Sequence, residues 1–348
     1  MKLTFRRFDL QLTHTWRVSS QEGVGQGKDF YPVVFVELEA GDSHGIGEGA
    51  PSSRYAESAD TVQAFLRKVD PARLSFEDIP GSMKYLDLVA AGNYTAKAAL
   101  NLALVDAVAK TAHRAVYDHL GLGFTENRHV TSFSIGIDEP EVIRKKVQNA
   151  ANYPILKIKV GSPDDEKNLR VVREVAPQKT LRVDANEAWT TKEEALRKIE
   201  WLATDKHIEF IEQPMPATSN PKEMAWLKER SPLPLFGDES YHRASDLSRC
   251  VDSFHGVNVK LVKTGGITPA YEALQAARAA GLKTMIGCMI ESSLLISAAA
   301  HLAELTDHLD IDGNLLIEND PFTGVSSKDG MLSFAQTPDR WGLRVRAK

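Results

Sequence analysis

A (β/α)8 barrel carrying an N-terminal α+β cap is the fold class that this 348-residue sequence predicts, from three observations. From residue 126 onward, short apolar strands alternate with amphipathic helices in a regular beat, the pattern of a parallel sheet with right-handed crossovers. The residues before it run as strands and then helices, which is the order of a compact α+β module. Charged side chains then close one predicted strand after another, at the end of an α/β sheet where ligands bind. So many strand–helix units in so short a span favour a closed barrel, with an open doubly wound sheet as the alternative.

Bulk properties narrow the class. A hydrophobic share of 43% and a charged share of 26% are globular and exclude a disordered chain. The net charge of -5 lacks the basic face that a nucleic-acid partner requires. Cys250 and Cys288 are the only cysteines, so no disulfide framework is expected. The start, "MKLTFRRFDLQLTHTW", has no signal-peptide core, and "SLLISAAA" soon meets His301 and Glu304. A cytoplasmic protein with no membrane partner is the expectation.

Residues 1–125 form the expected cap. "KLTFRRFDLQLT" alternates as a strand, "SSQEGVGQGKD" reads as a mobile polar loop, and "YPVVFVELEA" with "GDSHGIGEGAP" reads as a hairpin. Helical periodicity follows in "YAESADTVQAFLRKVD" and "YTAKAALNLALVDAVAKTAH". Residues 126–320 hold the expected barrel, with strands "TSFSIGI", "ILKIKV", "TLRVDA", "IEFIEQ", "LPLFGDE", "GVNVKL", "KTMIGC" and an eighth in "HLDID". Segments such as "EPEVIRKKVQNAAN" and "TPAYEALQAARAAG" supply the intervening helices.

The strand ends carry the chemistry. Lys157 and Lys159 stand two apart in "YPILKIKVGS", so a strand puts both ammonium groups on one face. Asp184, Glu212, Asp238 and Lys260 then follow, each about one strand–helix unit after the last. A single acidic strand end often caps the next helix. Three in register, each followed by a polar residue (Asn186, Gln213, Glu239), would repel one another without a cation. An all-oxygen set suits Mg2+ or Mn2+, one ion per subunit, and the absence of histidine and cysteine disfavours zinc.

A lone strand-end lysine usually snorkels to solvent. Lys159 and Lys260, however, come from opposite sides of the acidic arc, as two acid/base groups facing one carbon would. Crowding by Lys157 and a nearby cation is expected to hold Lys159 below its usual pKa of about 10.4, leaving it free to act as a base.

The motifs "KIK", "VDAN", "IEQP", "GDES" and "NVKLVKTGG" together resemble the muconate-lactonizing subgroup of the enolase superfamily. "GCMIESSLLISAAAHLA" and "DIDG" are similar to its dipeptide epimerases of the L-Ala-D/L-Glu type. The resemblance implies a modified barrel with residues 321–348 returning to the cap. It also implies Mg2+ held by Asp184, Glu212 and Asp238, and two catalytic lysines, Lys159 and Lys260. Lys263 and Glu239 would form a supporting ion pair, with Asn186 also behind the ligands. Inversion of the C-terminal residue's α-carbon by 1,1-proton transfer, through an enediolate stabilised by the metal, is the implied reaction. Asp310 and Asp312 would bind the dipeptide's free ammonium, Lys157 its carboxylate, and Ser292 its backbone. Cell-wall peptide recycling is the implied setting, with homo-oligomerisation left open.

The sequence departs from the pattern in "HTWRVSSQEG", where serines stand in place of an arginine expected to hold a glutamate side chain; Arg17, Lys28 and Arg54 are the substitutes. Muconate cycloisomerase, o-succinylbenzoate synthase and N-acylamino acid racemase activities use the same metal and lysines and are the rival readings. A non-catalytic relative is a further one.

Overall fold

The computed structural model describes residues 1–348. The cap sheet has three antiparallel strands in chain order: β1 (Lys2–Trp16), β2 (Lys28–Ala40) and β3 (Ser43–Gly49). Alternate residues of a strand face opposite ways. On β2, Tyr31, Val33 and Phe35 join the core shared with the barrel, whereas Val34, Val36 and Leu38 join a second core under the cap helices. The unbroken apolar run "YPVVFV" is thereby accounted for: the central strand is covered on both faces.

The cap helices are α1 (Ala59–Leu66), α2 (Ile79–Val89) and α3 (Tyr94–Thr111). Helix α3 is buried almost all round, because Leu102, Val105 and Ala109 face the barrel core while Ala99, Leu100 and Ala103 face the cap core. It lies directly on β3. A Cβ at Gly45 would stand 1.8 Å from the Ala103 carbonyl oxygen, and one at Gly47 would stand 1.9 Å from that of Ala99. Backbone cannot yield as a side chain does, so Gly47→Ala should destabilise the fold by about 3 kcal/mol or more, read as a lowered midpoint of thermal unfolding.

Eight parallel strands follow in sequential order: Phe133–Ile135, Ile155–Lys159, Thr180–Asp184, Ile208–Glu212, Leu235–Gly237, Gly256–Lys260, Lys283–Gly287 and His308–Asp310. They are called strands 1 to 8 below. A doubly wound sheet would reverse its order midway; this one does not. The ends meet through a parallel bridge between Thr131 and Leu309, with the Ser132 amide donating to the Leu309 carbonyl at 3.2 Å. Short pairs of strands make up much of the tail: Phe322–Thr323 with Arg346–Ala347, and Ser326–Lys328 with Met331–Ser333.

The buried carboxylate of Asp106 on α3 ties the tail to the cap. It accepts from the Leu343 amide at 2.8 Å, from the Ile46 amide on β3 at 3.0 Å, and from Lys110 at 2.6 Å. No helix is long and apolar enough to cross a membrane.

Candidate active site

A cavity of about 700 Å³ opens between the carboxyl ends of the barrel strands and the cap. Asp184 ends strand 3, Glu212 ends strand 4 and Asp238 directly follows strand 5. All three are buried, and one oxygen of each lies within 4.8 Å of the others. Their positions are set from behind. Asn258 donates to Glu212 Oε1 at 2.8 Å, the Asn186 amide to Asp184 Oδ1 at 2.9 Å, and the Asp238 amide to Gln213 Oε1 at 2.8 Å. Asn186, Glu187 and Gln213 all have positive φ, 44°, 69° and 36°, so the backbone is strained where strands 3 and 4 end.

Four ammonium groups meet this acidic cluster. Lys157 lies 2.7 Å from Glu212, 3.1 Å from Asp184 and 2.6 Å from Asp310. Lys159 reaches Asp184 at 2.6 Å from the strand 2 side. Lys260 reaches Asp238 at 2.8 Å from strand 6, at the far end of the arc. Lys263 is saturated from below by Asp238 at 2.5 Å and by the carbonyls of Asp238, Tyr241 and Asn258.

Burial alone would depress the Lys157 and Lys260 ammonium groups, but Asp310 beside the one and Asp238 beside the other hold both above the usual lysine range. Burial likewise works against the Asp184 carboxylate, yet Lys159 and Lys157 keep it below the ordinary range. Glu212 is pushed up to about 7 by burial and by the charge of Asp184.

The residues fit a hard divalent cation. The donor set is all oxygen. Glu212 Oε2 and Asp238 Oδ2 are buried without a hydrogen bond, although Lys157 and Lys260 lie close to them.

Asp310 and Asp312 line the same cavity. Ser132 donates to Asp310 at 2.6 Å, and the Ser134 amide donates to Asp312 at 2.6 Å. With Lys157 committed to Asp310, Asp312 has no cation beside it, and burial and Asp310 push it up to about 7. Arg54 lines the cavity as well, but its guanidinium is engaged: 2.5 Å from Glu187, 3.4 Å from Glu239, and donating to the Ser19 carbonyl at 3.0 Å.

Three expectations need correction. Arg17 does not line the cavity, because its side chain turns to Asp138 at 3.3 Å on the barrel. Ser292 is fully buried at the start of helix Ser293–Ala300, where its hydroxyl donates to Glu48 at 2.5 Å and caps the helix, so it is not free for a dipeptide backbone. The expected Lys263–Glu239 pair is absent: Lys263 pairs with Asp238 and Glu239 faces Arg54 and Asn186, because adjacent residues leaving a strand point to different sides. The expected mobile loop contains a two-residue hairpin, Ser19–Ser20 with Gly23–Val24, and its first residues are seated on the barrel.

Sequence reasoning missed Ser132 and Ser134, whose period-2 spacing in "TSFSIGI" puts both on one face toward the aspartates. It also missed Glu187, the charged residue three past Asp184, as well as Trp16, Tyr31 and Tyr55 in the cavity wall.

Residues 142–343 match the family described as "Enolase C-terminal domain-like", and residues 24–121 match "Mandelate racemase / muconate lactonizing enzyme, N-terminal domain". An L-Ala-D/L-amino acid epimerase of Pedosphaera parvula is 61% identical over 100% of both chains. The substrate-liganded L-Ala-D/L-Glu epimerase of Bacillus subtilis superposes with a TM-score of 0.89 at 26% identity, covering 100% of this chain and 98% of that one. A dipeptide epimerase of Enterococcus faecalis, complexed with Mg and L-Leu-L-Tyr, gives a TM-score of 0.86 at 29% identity, covering 99% and 98%.

Proposed function

Because the chain belongs to the mandelate racemase / muconate lactonizing enzyme family of the enolase superfamily, we propose that it is a Mg2+-dependent dipeptide epimerase inverting the α-carbon of the C-terminal residue. The observation that carries this reading is the placement of two amines. Lys159 and Lys260 approach the acidic arc from opposite ends, at 2.6 and 2.8 Å from its outer carboxylates. A carbon held between them faces one amine on each side.

Asp184, Glu212 and Asp238 would hold the ion, which supplies Lewis-acid stabilisation of charge developing on the substrate carboxylate. One lysine as free amine takes the α-proton, breaking the C–H bond and leaving a planar enediolate. The other, as ammonium, returns a proton to the opposite face. No electrons are gained or lost, and the two lysines exchange roles in the reverse direction. Asp238 favours the ammonium form of Lys260, the form a donor needs. Lys157 adds a positive charge near the substrate carboxylate.

Asp312 supplies the counter-charge for the dipeptide's free α-ammonium, with Asp310 beside it. A free amino terminus separates a dipeptide from the N-acyl and muconate substrates of the rival readings. Asp312→Asn should raise KM for dipeptides about 30-fold, the scale of one hydrogen bond to a charged group, and change it little for N-acetylated analogues. Steady-state kinetics on both substrate types checks this.

The test of the function is incubation of a dipeptide library with enzyme and Mg2+ in D2O, followed by mass spectrometry. Deuterium entering the C-terminal α-position identifies reaction and substrates together. No exchange in any dipeptide would refute the proposal.

A further inference from the structure

We infer that Arg54 is a positioning residue, a latch that holds the first cap loop shut over the cavity, rather than a receptor for the substrate's side chain. This rests on the dipeptide-epimerase reading above.

The guanidinium sits where three separate pieces of chain meet. It donates to the Ser19 carbonyl of the loop between β1 and β2, lies 2.5 Å from Glu187 beyond strand 3, and lies 3.4 Å from Glu239 beyond strand 5. Glu187 is itself fixed, since its other oxygen accepts from the Ala217 amide at 2.7 Å. Both carboxyl groups are largely buried, so the guanidinium is already engaged in a poorly solvated place. A substrate carboxylate would compete with these partners for the same fork, and a buried carboxylate left unpaired is unfavourable. Arginine suits a junction of this kind, because its planar fork donates along several directions at once.

The loop end that Arg54 grips is built to be gripped. Ser19 is fully buried, and its hydroxyl lies 2.5 Å from the Val160 carbonyl and 3.0 Å from that of Ala185. The Ile137 amide donates to the Arg17 carbonyl at 3.0 Å. Two barrel glycines form the seat: a Cβ at Gly161 would stand 2.5 Å from the Ser19 hydroxyl, and one at Gly136 would stand 3.1 Å from the Arg17 carbonyl. Beyond Ser20 the chain is exposed from residue 21 to residue 30. The loop is therefore held at its base by Arg54 together with these barrel hydrogen bonds, while its exposed stretch, Glu22 and Gln26 included, lines the cavity.

A latch and a receptor differ in what their loss does. If only the shut form binds substrate, lowering its population raises the apparent dissociation constant for every dipeptide by the same factor and leaves the bound complex unchanged. In full-length, magnesium-loaded enzyme, Arg54→Ala and Glu187→Gln should each raise KM about tenfold for L-Ala-L-Glu and L-Ala-L-Leu alike, with kcat held within about twofold. Cleavage after the exposed Glu22 by a glutamate-specific protease, followed by mass spectrometry, should quicken by a similar factor. The double variant should be no worse than the worse single one, since both remove one contact. Arg54→Lys keeps the charge without the fork and should recover only part of KM.

A loss confined to L-Ala-L-Glu would make Arg54 a side-chain receptor and overturn the latch. A fall in kcat at constant KM, or an unchanged cleavage rate, would overturn it equally. If the wild type epimerises neither dipeptide, the functional reading has failed, and the protease comparison still decides the latch.

Discussion

Lys159→Ala and Lys260→Ala each abolish epimerisation, with turnover lowered by at least about 10⁴-fold, the upper range for a positioned acid or base. The losses should not be identical in kind. With Lys159 removed, Lys260 still faces one side of the α-carbon and can exchange the hydrogen of one epimer with solvent. With Lys260 removed, the other epimer exchanges. Deuterium uptake in D2O, followed separately for L,L and L,D dipeptides, should therefore show opposite stereochemical preferences in the two variants. Full epimerisation by either would refute the two-base assignment. The prediction rests on Lys159 and Lys260 approaching from strand 2 and strand 6, with strands 3 to 5 between them.

Removing the metal, or one of its carboxylates, gives the second large effect. Chelation should bring activity to background and re-added Mg2+ should restore it. Asp238→Asn should bind no Mg2+ by calorimetry. It should also unfold more easily, because Lys260 loses its only close carboxylate and Lys263, though still donating to three carbonyls, loses its counter-charge, a loss of about 3 kcal/mol. Glu212→Gln separates the two consequences, since Lys157 keeps Asp184 and Asp310 when that carboxylate is lost. The pH dependence follows from Glu212, pushed up to about 7 by burial and Asp184. A cation competes with the proton for this oxygen, so apparent Mg2+ affinity should be full above pH 7. It should weaken as pH falls through that value, by up to about tenfold per unit. Titrations at pH 6 and pH 8 check the sign.

Much of this site was legible because its signals are local. A strand end is marked by a few residues, and Lys159, Asp184, Glu212, Asp238 and Lys260 each end or directly follow one. Sequential strand order then carries them to one mouth without further information. What was not legible depends on pairs far apart in the chain. Ser292 reads as a free hydroxyl beside a helix start until Glu48, 244 residues earlier, is seen to occupy it. Arg17 reads as a loop cation near a substrate until Asp138 claims it. Lys263 and Glu239 carry opposite charges at plausible spacing, but which carboxylate an ammonium reaches depends on where adjacent side chains point as the chain leaves a strand. The α3 segment reads as a helix, but its burial on nearly every side depends on barrel and cap cores that distant parts of the chain close around it.

The carboxylate of Asp106 bears on how the molecule is made. Its hydrogen-bond donor at Leu343 lies 237 residues further along, and so is made long after Asp106 itself. During synthesis the N-terminal module must wait, with a charged oxygen lacking its final partner, until the whole ring has emerged. A nascent chain stalled or clipped before Leu343 therefore leaves the cap unfinished as well as the tail. Such long-range closure slows folding and prolongs exposure to aggregation and to quality-control proteases.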